Sequence, residues 1–218
     1  HNTVKNLLDI ENNIKTYLNK IKINNIPKIV AVSKTFKIDK ILPIIEHGHI
    51  DFGENKVQEA VEKWTDIKQK DTKIKLHMIG KLQTNKVKQA IKIFDFIHSV
   101  DNKKLAKKIA DEQIKQNKKI KIFIQLNIGE EDQKSGVNKN NLFDLYNYCK
   151  ELNLNVIGLM CIPPFDENSE KYFKEMKVLN EKLKLSDLSM GMSSDYLKAV
   201  ENSATYLRIG SNIFGSRN

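Results

Sequence analysis

The sequence predicts a closed (β/α)8 barrel, a TIM barrel built as a single α/β domain over residues 1–218, with an extra helix over residues 1–24. Three observations predict it. Eight short apolar runs rich in β-branched residues recur along the chain. Stretches of helical period separate them, which makes the strands pair in parallel. No Pro/Gly/Ser-rich linker and no low-complexity block divides the 218 residues. Eight such units close a barrel, and the count makes an open doubly wound sheet the weaker alternative.

The elements follow in order. "VKNLLDIENNIKTYLNKI" spaces its apolar residues three and four apart, so the chain opens on a helix. The strands are "KIVAVSK", "HIDFGEN", "KLHMIG", "FDFIHSV", "KIKIFIQLNI", "NVIGLMCI", "DLSMGM" and "TYLRIG". Between them run helices such as "ENKVQEAVEKW", "NKKLAKKIADEQIKQN" and "SEKYFKEMKVLNEKLK". The chain stops soon after the eighth strand, at "SNIFGSRN". The opening helix is therefore expected on the wall that a full eighth helix would cover.

Composition narrows the function classes. Hydrophobic residues make up 40% and charged residues 29% of the chain, a balance that fills a core and wets a surface. No apolar run approaches the ~18–20 residues that cross a bilayer, so no membrane partner is expected. "HNTVKNLLDI" lacks the pattern of a signal peptide. Cys149 and Cys161 have neither disulfide nor zinc spacing, which points to a reduced, cytoplasmic protein. The net charge of +10 is carried almost wholly by lysine, with arginine only at 208 and 217. Nucleic-acid readers favour arginine and interleaved aromatics, so no nucleic-acid partner is expected and a compositional bias explains the charge.

Barrel chemistry sits at the C-terminal ends of the strands. The first strand ends on Ser33-Lys34, the second on Gly53-Glu54-Asn55, the seventh on "GMSSD" and the eighth on "RIGSN". The loops after strands seven and eight commonly hold phosphate. Ser193 and Ser194 bring hydroxyls, Gly210 lets backbone approach closely, and Ser211 adds a hydroxyl and an amide. Ser193 or Ser194 could equally be an N-cap, with Asp195 in the first turn. Lys34 follows so closely on four apolar residues that its amine is expected inside the mouth. At its ordinary pKa of ~10.4 only about one amine in ~2,500 is neutral at pH 7. Partial burial, with Arg208 as a nearby like charge, would lower that pKa and make Lys34 a Schiff-base nucleophile. Lysine, phosphate cradle and arginine together suggest pyridoxal 5'-phosphate, with Arg208 facing the pyridine nitrogen. Glu54 and Asp101 are read as solvated carboxylates, and Cys161 as a small apolar residue near the rim.

At this point the sequence resembles the pyridoxal phosphate homeostasis proteins of the YggS type, single-domain relatives of the alanine racemase barrel. The stretches that carry it are "AVSKTF", "FGENKVQE", "HMIGKLQTNK", "IQLNIGEEDQKSG", "GLMCIPP", "LSMGMSSDYLKAV" and "RIGSNIFGSR". The resemblance implies that Lys34 holds the cofactor as an internal aldimine and that Asn55 and His77 line its pocket. It also implies that Ser193, Ser194, Gly210 and Ser211 hold the phosphate and that Arg208 contacts the ring nitrogen. From the residues alone, Asn55 reads equally as a helix cap and His77 as a core histidine. None of the six tyrosines stands plainly at a strand end to serve as a second base; Tyr196 is nearest. The expectation is a monomeric protein that binds pyridoxal phosphate and delivers it to apo-enzymes without robust turnover. The alternative is a weak amino-acid racemase.

Overall fold

The computed structural model describes residues 2–132, 134–165 and 168–217. All eight expected strands are present: β1 (Lys28–Val32), β2 (Asp51–Glu54), β3 (Lys75–Met78), β4 (Phe96–Val100), β5 (Lys121–Gln125), β6 (Asn155–Met160), β7 (Asp187–Ser189) and β8 (Tyr206–Ile209). Each pairs in parallel with the next, and β8 closes on β1, with Lys28 opposite Tyr206 and Ala31 opposite Ile209. The helices between strands are α2 (Ile38–His47), α3 (Val57–Lys70), α4 (Val87–Ile93), α5 (Lys103–Gln116), α6 (Leu142–Glu151), α7 (Glu170–Lys182) and α8 (Tyr196–Glu201).

The opening helix α1 (Asn2–Ile21) buries Leu7, Ile10, Ile14 and Leu18, the stripe its spacing foretold. Each such side chain contributes roughly 2 kcal/mol when removed from water. A four-residue helix, α9 (Ser211–Phe214), follows β8. α1 packs against α2, α8 and α9, covering the expected wall. Asn6 Nδ2 donates to the Ile213 carbonyl at 2.9 Å, and Tyr17 Oη donates to Glu201 at 2.9 Å.

Strand alternation sorts the side chains into two layers. Ile29 and Ala31 of β1, Phe52 of β2, Ile97 of β4 and Leu207 of β8 point outward and join the helices in the larger core. Val30, Phe96, Phe123, Met160 and Tyr206 point inward and fill the barrel. The same parity puts Asp51, Gly53 and Asn55 inside and Glu54 outside. A Cβ on Gly53 would meet Val30 and Ile79 at 3.0 Å, which marks that inward side. On β1 the inward positions are Val30, Val32 and then Lys34.

A candidate cofactor site at the barrel mouth

The C-terminal ends of the strands surround a cavity of about 470 Å³. Lys34, Asn55, Ser193, Ser194, Arg208, Gly210 and Ser211 all line it. Seven residues spread over the whole sequence thus converge on one mouth. Its remaining wall includes the apolar side chains of Val32, Ile79, Ile162 and Met192.

Lys34 is half-buried. Burial, and then the guanidinium of Arg217, push its pKa below the ordinary lysine value against the pull of Glu54 and Glu59. The like charge is therefore Arg217 rather than the expected Arg208. Arg217 also lines the cavity. The strand-end reading missed it because it belongs to no strand end; the chain reaches the rim after a turn at Gly215, whose φ is +90°.

The corner that carries Lys34 is fixed from beneath. Glu54 is fully buried. It accepts from the Ser33 hydroxyl, from Trp64 Nε1 at 3.1 Å and from Lys63 Nζ at 3.2 Å. Lys63 also donates to the Ser33 carbonyl at 2.8 Å. Burial pushes the Glu54 carboxyl up, opposed by those donors. The solvated reading of Glu54 is corrected: its outward parity places it under α3, where Trp64 and Lys63 can reach it. Asp101 is likewise engaged, accepting from the Gly136 amide at 3.0 Å.

The loops after β7 and β8 are tied to each other. Ser193 Oγ accepts from the Asn212 amide at 3.2 Å, and the Ser193 carbonyl accepts from Asn212 Nδ2 at 3.1 Å. Neither serine caps α8. That place belongs to Asp195, whose carboxylate accepts from the Met192 amide at 2.8 Å. Gly191 begins the turn at φ +101°, and a Cβ there would lie 2.6 Å from that of Ala199, so only glycine fits. Asn55 does not cap α3 either, since Lys56 occupies that position. Gly80 packs against the Asn55 backbone, where a Cβ would come within 2.7 Å of the Asn55 carbonyl oxygen.

Arg208 is 3% exposed. Its Nη1 donates to Ser189 Oγ at 2.6 Å and its Nη2 to the Cys161 carbonyl at 2.8 Å. Cys161 is fully buried, and burial pushes its thiol up to about 12.

His77 is the exception among the expected site residues. It is fully buried and stacks on Phe96 with ring centroids 4.1 Å apart. Its ring bonds to Asp51 and His98, and it does not line the mouth. The pocket-lining assignment is corrected to a core histidine. His77 points inward, but one layer deeper than Ile79, which takes the mouth position two residues on.

Among the described residues no tyrosine lines the cavity. Tyr196 faces α1 and accepts from Asn13 Nδ2 at 3.3 Å. Among the described residues no cluster of His, Cys, Asp and Glu could hold a metal ion, and no helix is long and apolar enough to cross a membrane.

Comparison with known proteins agrees with this fold. A family model described as the alanine racemase N-terminal domain matches residues 6–218. The pyridoxal phosphate homeostasis protein of Aquifex aeolicus is 40% identical over 203 residues, 88% of this chain and 88% of that protein. The protein of that name from Pasteurella multocida is 37% identical over 225 residues, 98% of this chain and 97% of that one. Among solved structures, PipY of Synechococcus elongatus with PLP bound superposes with a TM-score of 0.81 at 30% identity, covering 93% of this chain and 100% of that one. An alanine racemase of Clostridium difficile shares the fold alone, with a TM-score of 0.75 at 15% identity over 99% of this chain and 57% of that one. The chain belongs to the pyridoxal phosphate homeostasis protein family, built on the barrel of the alanine racemase N-terminal domain.

Proposed function

We propose that this protein binds pyridoxal 5'-phosphate at the barrel mouth and serves its homeostasis in the cytoplasm, as a monomer that holds the cofactor and passes it to apo-enzymes. The convergence of Lys34 with the serine-lined loops in one cavity carries the reading. The family's naming, and the ligand in the PipY structure, support it.

The residues fit the group. Lys34 offers a primary amine whose neutral form is favoured by burial and by Arg217. Ser193, Ser194 and Ser211 offer hydroxyls on the adjoining wall, where β8 pairs with β1 and β7 with β8, and Gly210 leaves room for backbone approach. Val32, Ile79, Ile162 and Met192 add an apolar stretch to the cavity wall. Bound there, the cofactor supplies an aldehyde that condenses with an amine and a ring that draws electrons. Arg208 only donates, so against a ring nitrogen it opposes protonation and weakens that electron sink. With no tyrosine on the mouth, a second proton-transfer base of the racemase kind is lacking among the described residues. Both features favour holding over turnover.

The test is direct. Protein mixed with pyridoxal phosphate should turn yellow, and borohydride should fix the ligand's mass to a peptide containing Lys34. Label on another peptide would reject the site. Steady loss of optical activity with L- or D-amino acids would reject the carrier reading in favour of a racemase.

A further inference from the structure

A line of hydrogen bonds crosses the barrel interior from the mouth to the opposite floor. Arg208 Nη1 lies 2.6 Å from Ser189 Oγ, which lies 2.7 Å from Nδ1 of His98. Nε2 of His98 lies 2.8 Å from Nδ1 of His77, and Nε2 of His77 lies 2.8 Å from Oδ1 of Asp51. Ser189, His98 and His77 are fully buried.

One placement of protons satisfies every link. Arginine can only donate, so Ser189 Oγ accepts from it and sends its single proton to His98 Nδ1. Burial, together with the positive field of Arg208 and the proximity of a second imidazole, holds the His98 pKa well below its ordinary value, so this ring is neutral and carries its proton on Nε2. Nε2 then donates to His77 Nδ1. Burial lowers the His77 pKa as well, so that ring is neutral too and donates from Nε2 to the Asp51 carboxylate. The reverse direction would set an unprotonated nitrogen against a carboxylate or require a buried imidazolium.

The line has an electrostatic sense. Each neutral dipole turns its negative end toward Arg208 and its positive end toward Asp51. Among the described residues no carboxylate pairs directly with Arg208; Asp195 acts on it through space, and its bonds go to the neutral Ser189 and Cys161 oxygens. The aligned dipoles stabilise both buried ends, because hydrogen bonds in a chain polarise one another in a low dielectric.

We propose that Asp51, His77, His98 and Ser189 are positioning residues that lock the plane of the Arg208 guanidinium and aim its remaining N–H groups into the mouth. The locking stands by itself; its effect on ligand affinity rests on the proposed cofactor site. His77, expected at the mouth, thus acts on it through two intermediates.

The chain's two arginines make the test tractable, since [15N]arginine labelling gives signals from Arg208 and Arg217 alone. In ligand-free protein Arg208 should show resolved, slowly exchanging Nη signals, and both histidines should be neutral Nε2–H tautomers by 15N chemical shift. Asp51→Asn, an isosteric change that removes the charge, should speed Arg208 Nη exchange at least tenfold and leave Arg217 unchanged. It should also weaken pyridoxal phosphate binding about fivefold. Phe96→Leu, which removes the ring stacked on His77 but no hydrogen bond, should lower the melting temperature and leave the Arg208 signals in place. Should Asp51→Asn fail to fold, Ser189→Ala breaks the link next to Arg208 and must give the same collapse. An imidazolium at either histidine, or Arg208 signals indifferent to Asp51→Asn and Ser189→Ala, overturns the proposal. Failure of the wild type to take up pyridoxal phosphate would reject the cofactor reading, and the guanidinium signals would still judge the line.

Discussion

The two ends of the barrel handle charge in opposite ways. The mouth cavity is lined by one lysine and two arginines, each in a distinct setting. The floor, at the N-terminal ends of the strands, has a cavity of about 340 Å³ lined by seven lysines and two aspartates. At the floor, Lys68 pairs with Asp95 at 2.7 Å, while Lys28 and Lys121 sit over the Tyr206 and Phe96 rings, 5.7 Å and 5.2 Å from the centroids. Lys28 and Lys121 lid the aromatic layer and stay exposed, while Lys68 is largely covered by its pairing and burial lowers the pKa of Lys118 beside it. At the mouth, burial and a neighbouring guanidinium act on a single amine. Reactivity follows desolvation and placement rather than the number of charges.

The comparison can be broken in steps of decreasing size. Lys34→Ala should lower affinity for pyridoxal phosphate by roughly 100-fold and abolish the borohydride-fixed adduct, read by absorbance and mass. An adduct of undiminished yield would place the reactive amine among the many other lysines and erase the distinction. Glu54→Leu leaves Lys63 without its buried partner, and urea unfolding should show a loss of about 3 kcal/mol. Ser193→Ala should weaken binding about 10-fold, the order expected for a hydrogen bond to a charged group. Arg217→Gln tests the electrostatics. Its charge lowers the Lys34 pKa, so its removal should move the pH profile of aldehyde capture upward, toward that of an ordinary lysine. A downward move would contradict the sign. Replacing Lys75, Lys92 and Lys121 together with glutamine should change affinity by less than about 2-fold and stability by less than about 0.5 kcal/mol. If the floor variant loses as much as Ser193→Ala, the two ends are not separate in function.

What the sequence makes legible follows from the same geometry. Strands show because parallel barrels bury both faces, so runs such as "IVAV" are apolar throughout. Lys34, Ser193, Ser194, Arg208, Gly210 and Ser211 show because the fold places strand ends around one mouth; Asn55, open from the residues alone, shows through the family resemblance. Depth inside the barrel does not show. His77 and Ile79 share an inward face, and only the closed sheet decides which of them reaches the rim. Partners of a buried carboxylate do not show either: Trp64 and Lys63 meet Glu54 only once α3 folds back over β2. Arg217 lies beyond every periodic element, so periodicity does not point to it, although the matching stretch "RIGSNIFGSR" ends on it.

The ring is sealed by pairing the first strand with the last, and the mouth draws on residues from Val32 to Arg217. Contacts so far apart in the chain are slow to find. On the ribosome, a nascent chain that has emerged only as far as β7 lacks Arg208, Gly210, Ser211 and Arg217. The mouth cavity is therefore complete only once the segment that carries Arg208, Gly210, Ser211 and Arg217 has been translated.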